Sequence, residues 1–169
     1  MANLRVIVIA LFISIISIGG GCSKKEPEIN ACTLLSQTEV SSLSSGVKGH
    51  DLFQKVGDEP EICAWHDGAN NNLVMIFYYA STQVDPTELV TNGMKGKKSR
   101  IITISGVGAA GAAAFAPSSD GLNSEEMKLF SANNEKGTIG IRARNIGNEN
   151  SYEFETIKNL ANTALSRIE

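Results

Sequence analysis

Residues 6–18 form an apolar run broken only by Ser14 and Ser17, preceded by one positive charge at Arg5 and followed by Gly19-Gly20-Gly21 and Cys22. A basic start, an apolar stretch of this length and small residues ahead of a cut site make a secretory signal peptide. A spanning helix needs about 20 apolar residues, whereas a run of about 10–14 is typical of a signal core. Three glycines in series also end a helix, because glycine loses the most backbone entropy on ordering. The expectation is that only the sequence after residue 21 folds, and that it folds beyond the cytoplasm.

The Cys at the cut resembles the signal of bacterial lipoproteins, with Gly19 where those signals usually carry Leu. The resemblance implies cleavage before Cys22, a diacylglycerol on its thiol and an acylated amine. Ordinary secretion and an uncleaved anchor are the alternatives. Each buried CH₂ of an acyl chain contributes about 0.8 kcal/mol, so several chains hold a domain on a membrane stably. Ser23 follows the Cys; by the same resemblance, a residue other than Asp there favours the outer membrane, facing the periplasm, in a Gram-negative cell. Residues 23–30, with Lys24, Lys25, Glu26, Pro27 and Glu28, offer little to bury and read as a flexible tether. Fully extended, it spans about 26 Å. The folded domain is expected over 31–169.

Loss of residues 1–21 leaves 148 residues, the size of one ordinary domain. It removes one basic residue, so 14 basic residues face 18 acidic ones, a net charge of −4. A general nucleic-acid binder is normally basic, which argues against that class. With Cys22 reserved for lipid, Cys32 and Cys63 remain, and two Cys in an exported domain point to one disulfide. The sharper alternative is a metal site, since Cys63 and His66 have C-x-x-H spacing and Cys32 and His50 complete a Cys₂His₂ set. The spacing misses the usual pairs on both halves, so a structural bridge is favoured.

Helical periodicity runs through Leu34, Leu35, Val40 and Leu43, predicting a first helix over 33–45, with Ser36 and Glu39 as a capping box. Two strands, 61–66 and 73–79, flank the turn-rich 67–72 and predict a hairpin. The second has apolar residues on both faces, as an interior strand does. Asp85 and Pro86 open a second helix that includes Leu89, Val90 and Met94, and Gly96 ends it. Strands follow at 100–105 and 112–116, then a hairpin of 127–132 and 138–145. In its last strand Ile139, Ile141 and Ala143 alternate with Arg142 and Arg144. An amphipathic helix over 152–168, capped by Ser151, closes the chain. This order predicts an α+β fold: one domain with a mostly antiparallel sheet of about five to six strands, packed with three helices.

The segment Cys32-Thr33-Leu34-Leu35-Ser36-Gln37-Thr38-Glu39-Val40 resembles the opening of small bacterial lipoproteins of domain-of-unknown-function families, best represented in actinobacteria. Cys63-Ala64-Trp65, the Gly106-Val107-Gly108 turn before a small-residue strand and the final helix are similar in order and spacing. Ala109 stands where such proteins often carry an acidic residue after the turn. The resemblance implies an exported, disulfide-linked α+β domain and no particular activity.

Residues 106–111 spell G-x-G-x-x-G after a predicted strand. A dinucleotide site needs a helix to follow, and Pro117 arrives too soon for one, so the glycines read as a tight turn and no cofactor is expected. Lys95, Lys97, Lys98 and Arg100 place four positive charges in six residues, and Arg142 and Arg144 share a strand face. Either group can contact anions or an acidic partner, at about 1 kcal/mol per charge near an anionic surface. The bland reading is a solvated surface. Neither a G-x-S-x-G elbow nor an H-E-x-x-H pair is present, and His66-Asp67 adjacency is not a dyad, because neighbours on a strand face opposite ways. Glu125-Glu126 reads as loop. The sequence therefore points to a membrane-tethered, non-catalytic binding or interaction module of the cell envelope, with an envelope protein, a glycan or a small ligand as partner. An envelope enzyme of hydrolase type and a structural accessory subunit are the alternatives.

Overall fold

The computed structural model describes residues 29–54, 57, 59–69, 71–80, 84–118 and 125–168. The expected signal peptide, Cys22 and the tether up to residue 28 lie outside the described residues. Ile29 already packs on the core, and Asn30 Oδ1 accepts hydrogen bonds from the N–H groups of Cys32 and Thr33 at 2.9 and 3.2 Å.

The elements are α1 (Gln37–Val40), β1 (Gly49–Phe53), β2 (Glu61–His66), β3 (Asn72–Tyr79), α2 (Pro86–Gly93), β4 (Arg100–Ile104), β5 (Ala110–Pro117), β6 (Glu125–Asn133), β7 (Thr138–Ala143) and α3 (Tyr152–Ser166). The strands form one antiparallel sheet in the order β1-β2-β3-β7-β6-β5-β4. The architecture is α+β as expected, but with seven strands rather than five to six. The additional strand is β1, an edge strand in which His50, Asp51, Leu52 and Phe53 are all exposed. It buries little, so no apolar alternation marks it in the sequence. Among the described residues no helix is long and apolar enough to cross a membrane.

Strand alternation divides the core between the two faces of the sheet. On one face Ile76, Phe115, Phe130, Ile139 and Ile141 pack beneath α3, with Leu34, Leu35 and Val40 of the N-terminal segment alongside. On the other, Ala112, Ala114, Ala116 and Leu129 pack beneath Val90 and Met94 of α2. Gly93 lets α2 sit close to β6: a Cβ there would lie 2.6 Å from Leu129 Cδ2.

The caps fall where the sequence placed them. Ser36 and Glu39 form the reciprocal capping box of α1, Asp85 caps α2 ahead of Pro86, and Ser151 Oγ accepts from Phe154 N–H at the start of α3. The first helix is shorter than 33–45. Ser41 and Ser42 hydroxyls donate back to the carbonyls of Gln37 and Glu39, offering the backbone turns instead of further helix.

Candidate functional site

A local departure from regular pairing on the α2 side of the sheet creates a cleft. Between β5 and β6, Ala114 pairs with Leu129 and Phe115 with Met127, which leaves Lys128 as the extra residue of a bulge. Pairing of β6 with β7 ends at Phe130 and Ile141. Beyond it the strands part, until Met127 N–H reaches the carbonyl of Ile146 at 2.9 Å. Asn145, at φ 59°, makes that detour possible; Asn tolerates the left-handed region better than most residues. The resulting cleft has a volume of about 710 Å³ and is lined by Met94, Lys97, Ala116, Pro117, Glu126, Lys128 and residues 142–145.

The two cationic groups singled out in the sequence meet here in part. Arg142 and Arg144 lie two residues apart on one face of β7 and its continuation, and both line the cleft. Lys97 joins them from the opposite wall. Gly96, at φ 78°, turns the chain after α2, and Lys97 N–H donates to the Met94 carbonyl at 2.9 Å. Lys95 and Lys98 are exposed and do not line it. Arg100 is committed elsewhere. Its guanidinium bonds Glu125 at 2.6 Å and Glu149 at 2.8 Å, and sits 5.0 Å from the centroid of the Phe115 ring. Those hydrogen bonds, Glu149's first, raise its pKa, and in return hold the Glu149 carboxyl below its ordinary value.

Two residues that line the cleft, Glu126 and Lys128, carried no site signal in the sequence. Glu125 and Glu126, expected in a loop, begin β6, and Glu126 accepts a short hydrogen bond from Ser118 while pairing with Lys128 at 2.6 Å. Lys128 is thereby neutralised. Among the described residues, Lys97, Arg142 and Arg144 have no carboxylate within ion-pairing distance. A guanidinium pair binds phosphate or carboxylate through parallel N–H···O bonds, and a lysine adds a point charge.

Arg142 also lines a second, adjoining groove of about 400 Å³ between α2 and the sheet, with Phe77, Tyr79, Val84, Glu88, Leu89, Asn92, Gly93 and Leu129. Its Cζ lies 5.8 Å from the centroid of the Phe77 ring. Burial pushes the Tyr79 phenol up in pKa, so it remains protonated at neutral pH.

Cys32 and Cys63 form a disulfide, with Cα atoms 5.0 Å apart. The alternative Cys₂His₂ arrangement does not come together. The His50 imidazole lies within 4.8 Å of both sulfurs, but His66 projects from the other face of the sheet, 3.7 Å from Asp51. His66 Nδ1 accepts from Gly68 N–H at 3.2 Å.

The Gly106-Val107-Gly108 turn joins two antiparallel strands, and no helix follows it. Asn162 of α3 clamps it, donating to the Gly106 carbonyl and accepting from Gly108 N–H, both at 3.1 Å. A Cβ on Gly108 would come within 2.1 Å of the Asn133 carbonyl oxygen. Gly108 serves this close approach to β6 and α3, and Gly106 supplies the positive φ, 78°, of the turn. No family model, curated protein or solved structure matches the chain.

Proposed function

We infer that this protein is a membrane-tethered extracytoplasmic binding module whose ligand carries a compact anionic group, held without catalysis in the cleft between β6 and β7. The observation that carries the reading is the convergence of Lys97, Arg142 and Arg144 on one concave site with no carboxylate partner among the described residues. Leaving three like charges together costs electrostatic energy that an anion offsets, and the cleft falls within the about 300–1,000 Å³ typical of small-ligand sites. Binding is favoured over hydrolysis because Glu126, the one carboxylate lining the cleft among the described residues, is occupied by Ser118 and Lys128 rather than poised as a free base. The tether is supported by the lipoprotein-like signal ending at Cys22, and an oxidising address by the Cys32–Cys63 bridge.

The test is a titration with inorganic phosphate, followed through the Nε–Hε resonances of Arg142 and Arg144 by NMR. Saturable shifts in both, lost in the Arg142→Gln/Arg144→Gln protein, are expected. Unmoved resonances up to tens of millimolar phosphate would refute the reading.

A further inference from the structure

We propose that the ligand is a single-chain amphiphile with a phosphate monoester head, the head in the cationic cleft and the alkyl chain along the adjoining groove beneath α2. This deepens the anion-binding reading and rests on it.

The geometry is directional. β7 pairs with β3 so that Tyr79 faces Thr138, Phe77 faces Gly140 and Met75 faces Arg142. Passing along β7 from residue 138 to residue 144, the α2 side therefore changes from aromatic and aliphatic walls to guanidinium groups, over about 20 Å at 3.3 Å per residue. The opposite wall changes in the same sense, from Val84 and Leu89 to Met94 and Lys97. Gly140 lies under this wall: a Cβ there would meet Phe77 and Leu89 at 3.5–3.6 Å, ordinary contact distances, so both side chains sit directly over β7. Arg142 lines both compartments, so they meet at its side chain.

Charge fixes the orientation and the head. Glu88 lines the apolar groove and repels an anion from it, while the cations lie at the other end. Three cations suit a dianionic phosphate monoester better than a singly charged carboxylate, and two guanidinium groups suit its several oxygens. The half-buried Phe77, Leu89 and Val84 then gain cover from the chain.

The experiment compares inorganic, ethyl and decyl phosphate by calorimetry below the micellar range. It uses the full chain carrying Cys22→Ser, exported and purified without acyl chains of its own. Each buried methylene increases affinity about fourfold, so decyl phosphate should bind at least about 100-fold more tightly than ethyl phosphate. Leu89→Gln should abolish most of that gain and leave ethyl phosphate binding in place. Asn92→Trp, at an exposed helix position on the groove rim, should do the same by filling it. Equal affinity for ethyl and decyl phosphate overturns the amphiphile inference and leaves anion binding standing. A chain-length gain untouched by both substitutions overturns the groove assignment. Decyltrimethylammonium binding as tightly as decyl phosphate overturns the role given to the cations. Failure of every phosphate, inorganic included, removes the anion-binding reading itself.

Discussion

Arg142 lies with its guanidinium carbon 5.8 Å from the centroid of the Phe77 ring, on the strand next to it, at the point where an apolar groove becomes a cationic cleft. The ring attracts the cation and limits its rotamers, so the guanidinium is held ready at the junction. Phe77→Leu keeps the position apolar and removes this attraction. We expect it to weaken inorganic phosphate binding by about two- to fivefold, the equivalent of 0.5–1 kcal/mol at an exposed site, measured by calorimetry.

The Cys32–Cys63 bridge spans a sequence separation of 31 residues and ties the N-terminal segment to β2. A closed loop of this size stabilises by about 3–4 kcal/mol in the chain-entropy model. The Cys32→Ala/Cys63→Ala protein should lose that amount in a denaturant titration, and the wild type should lose it on reduction. The folded, unreduced wild type should show no reaction of either sulfur with a thiol reagent; stoichiometric labelling would contradict the bridge.

Arg167, at the end of α3, grips Glu39 of the first capping box with two charge-assisted bonds at 2.7 and 2.8 Å. The Arg167 hydrogen bond first, and then the Ser36 N–H, lower the Glu39 carboxyl from 4.5 to about 2. A depressed folded pKa means the stabilisation is complete above about pH 4.5 and disappears as pH falls towards 2. Both side chains stay partly solvated, so the pair contributes no more than about 1 kcal/mol. In Arg167→Ala, NMR titration should show Glu39 moving upward, still below the ordinary value because Ser36 N–H remains, and the acid-side stability slope should shrink.

Gly108 combines φ 55° with a backbone approach that leaves no room for a side chain. Gly108→Ala should cost about 2–4 kcal/mol in chemical denaturation, from conformational strain and steric displacement together. Asn162→Ala removes two exposed hydrogen bonds from the same turn and should cost only about 1 kcal/mol. Equal effects would mean that the clamp rather than the glycine sets the turn.

Much of the fold was legible in the sequence because local chemistry and burial agree. The Ser36–Glu39 box, Asp85-Pro86, Ser151 and the alternation of Ile139, Ile141 and Ala143 each state a local structure that packing then uses. β1 was not legible, since an exposed edge strand needs no apolar period. The site was legible only as separate fragments. Lys97 and the Arg142–Arg144 pair were visible, but their meeting depends on the Lys128 bulge and on β6 and β7 parting beyond Ile141, and long-range register leaves no mark in single-residue spacing. The pairing of Arg100 with Glu125 and Glu149 was hidden for the same reason. An alternation of Glu126 and Lys128 with Met127 and Leu129 was the one available hint that the acidic pair belongs to a strand.

The lipid anchor is tested independently of the site. Cys22→Ser should abolish acyl labelling and release the protein from membranes. Unchanged retention would contradict the anchor.

Anion binding in the cleft is measured most directly by a crystal structure of the protein with ethyl phosphate. The phosphate is expected between the guanidinium groups of Arg142 and Arg144, within reach of Lys97 Nζ, with its ethyl group pointing towards Phe77. Phosphate bound instead by Lys95 and Lys98 on the outer turn, or an empty cleft at saturating ligand, would contradict it.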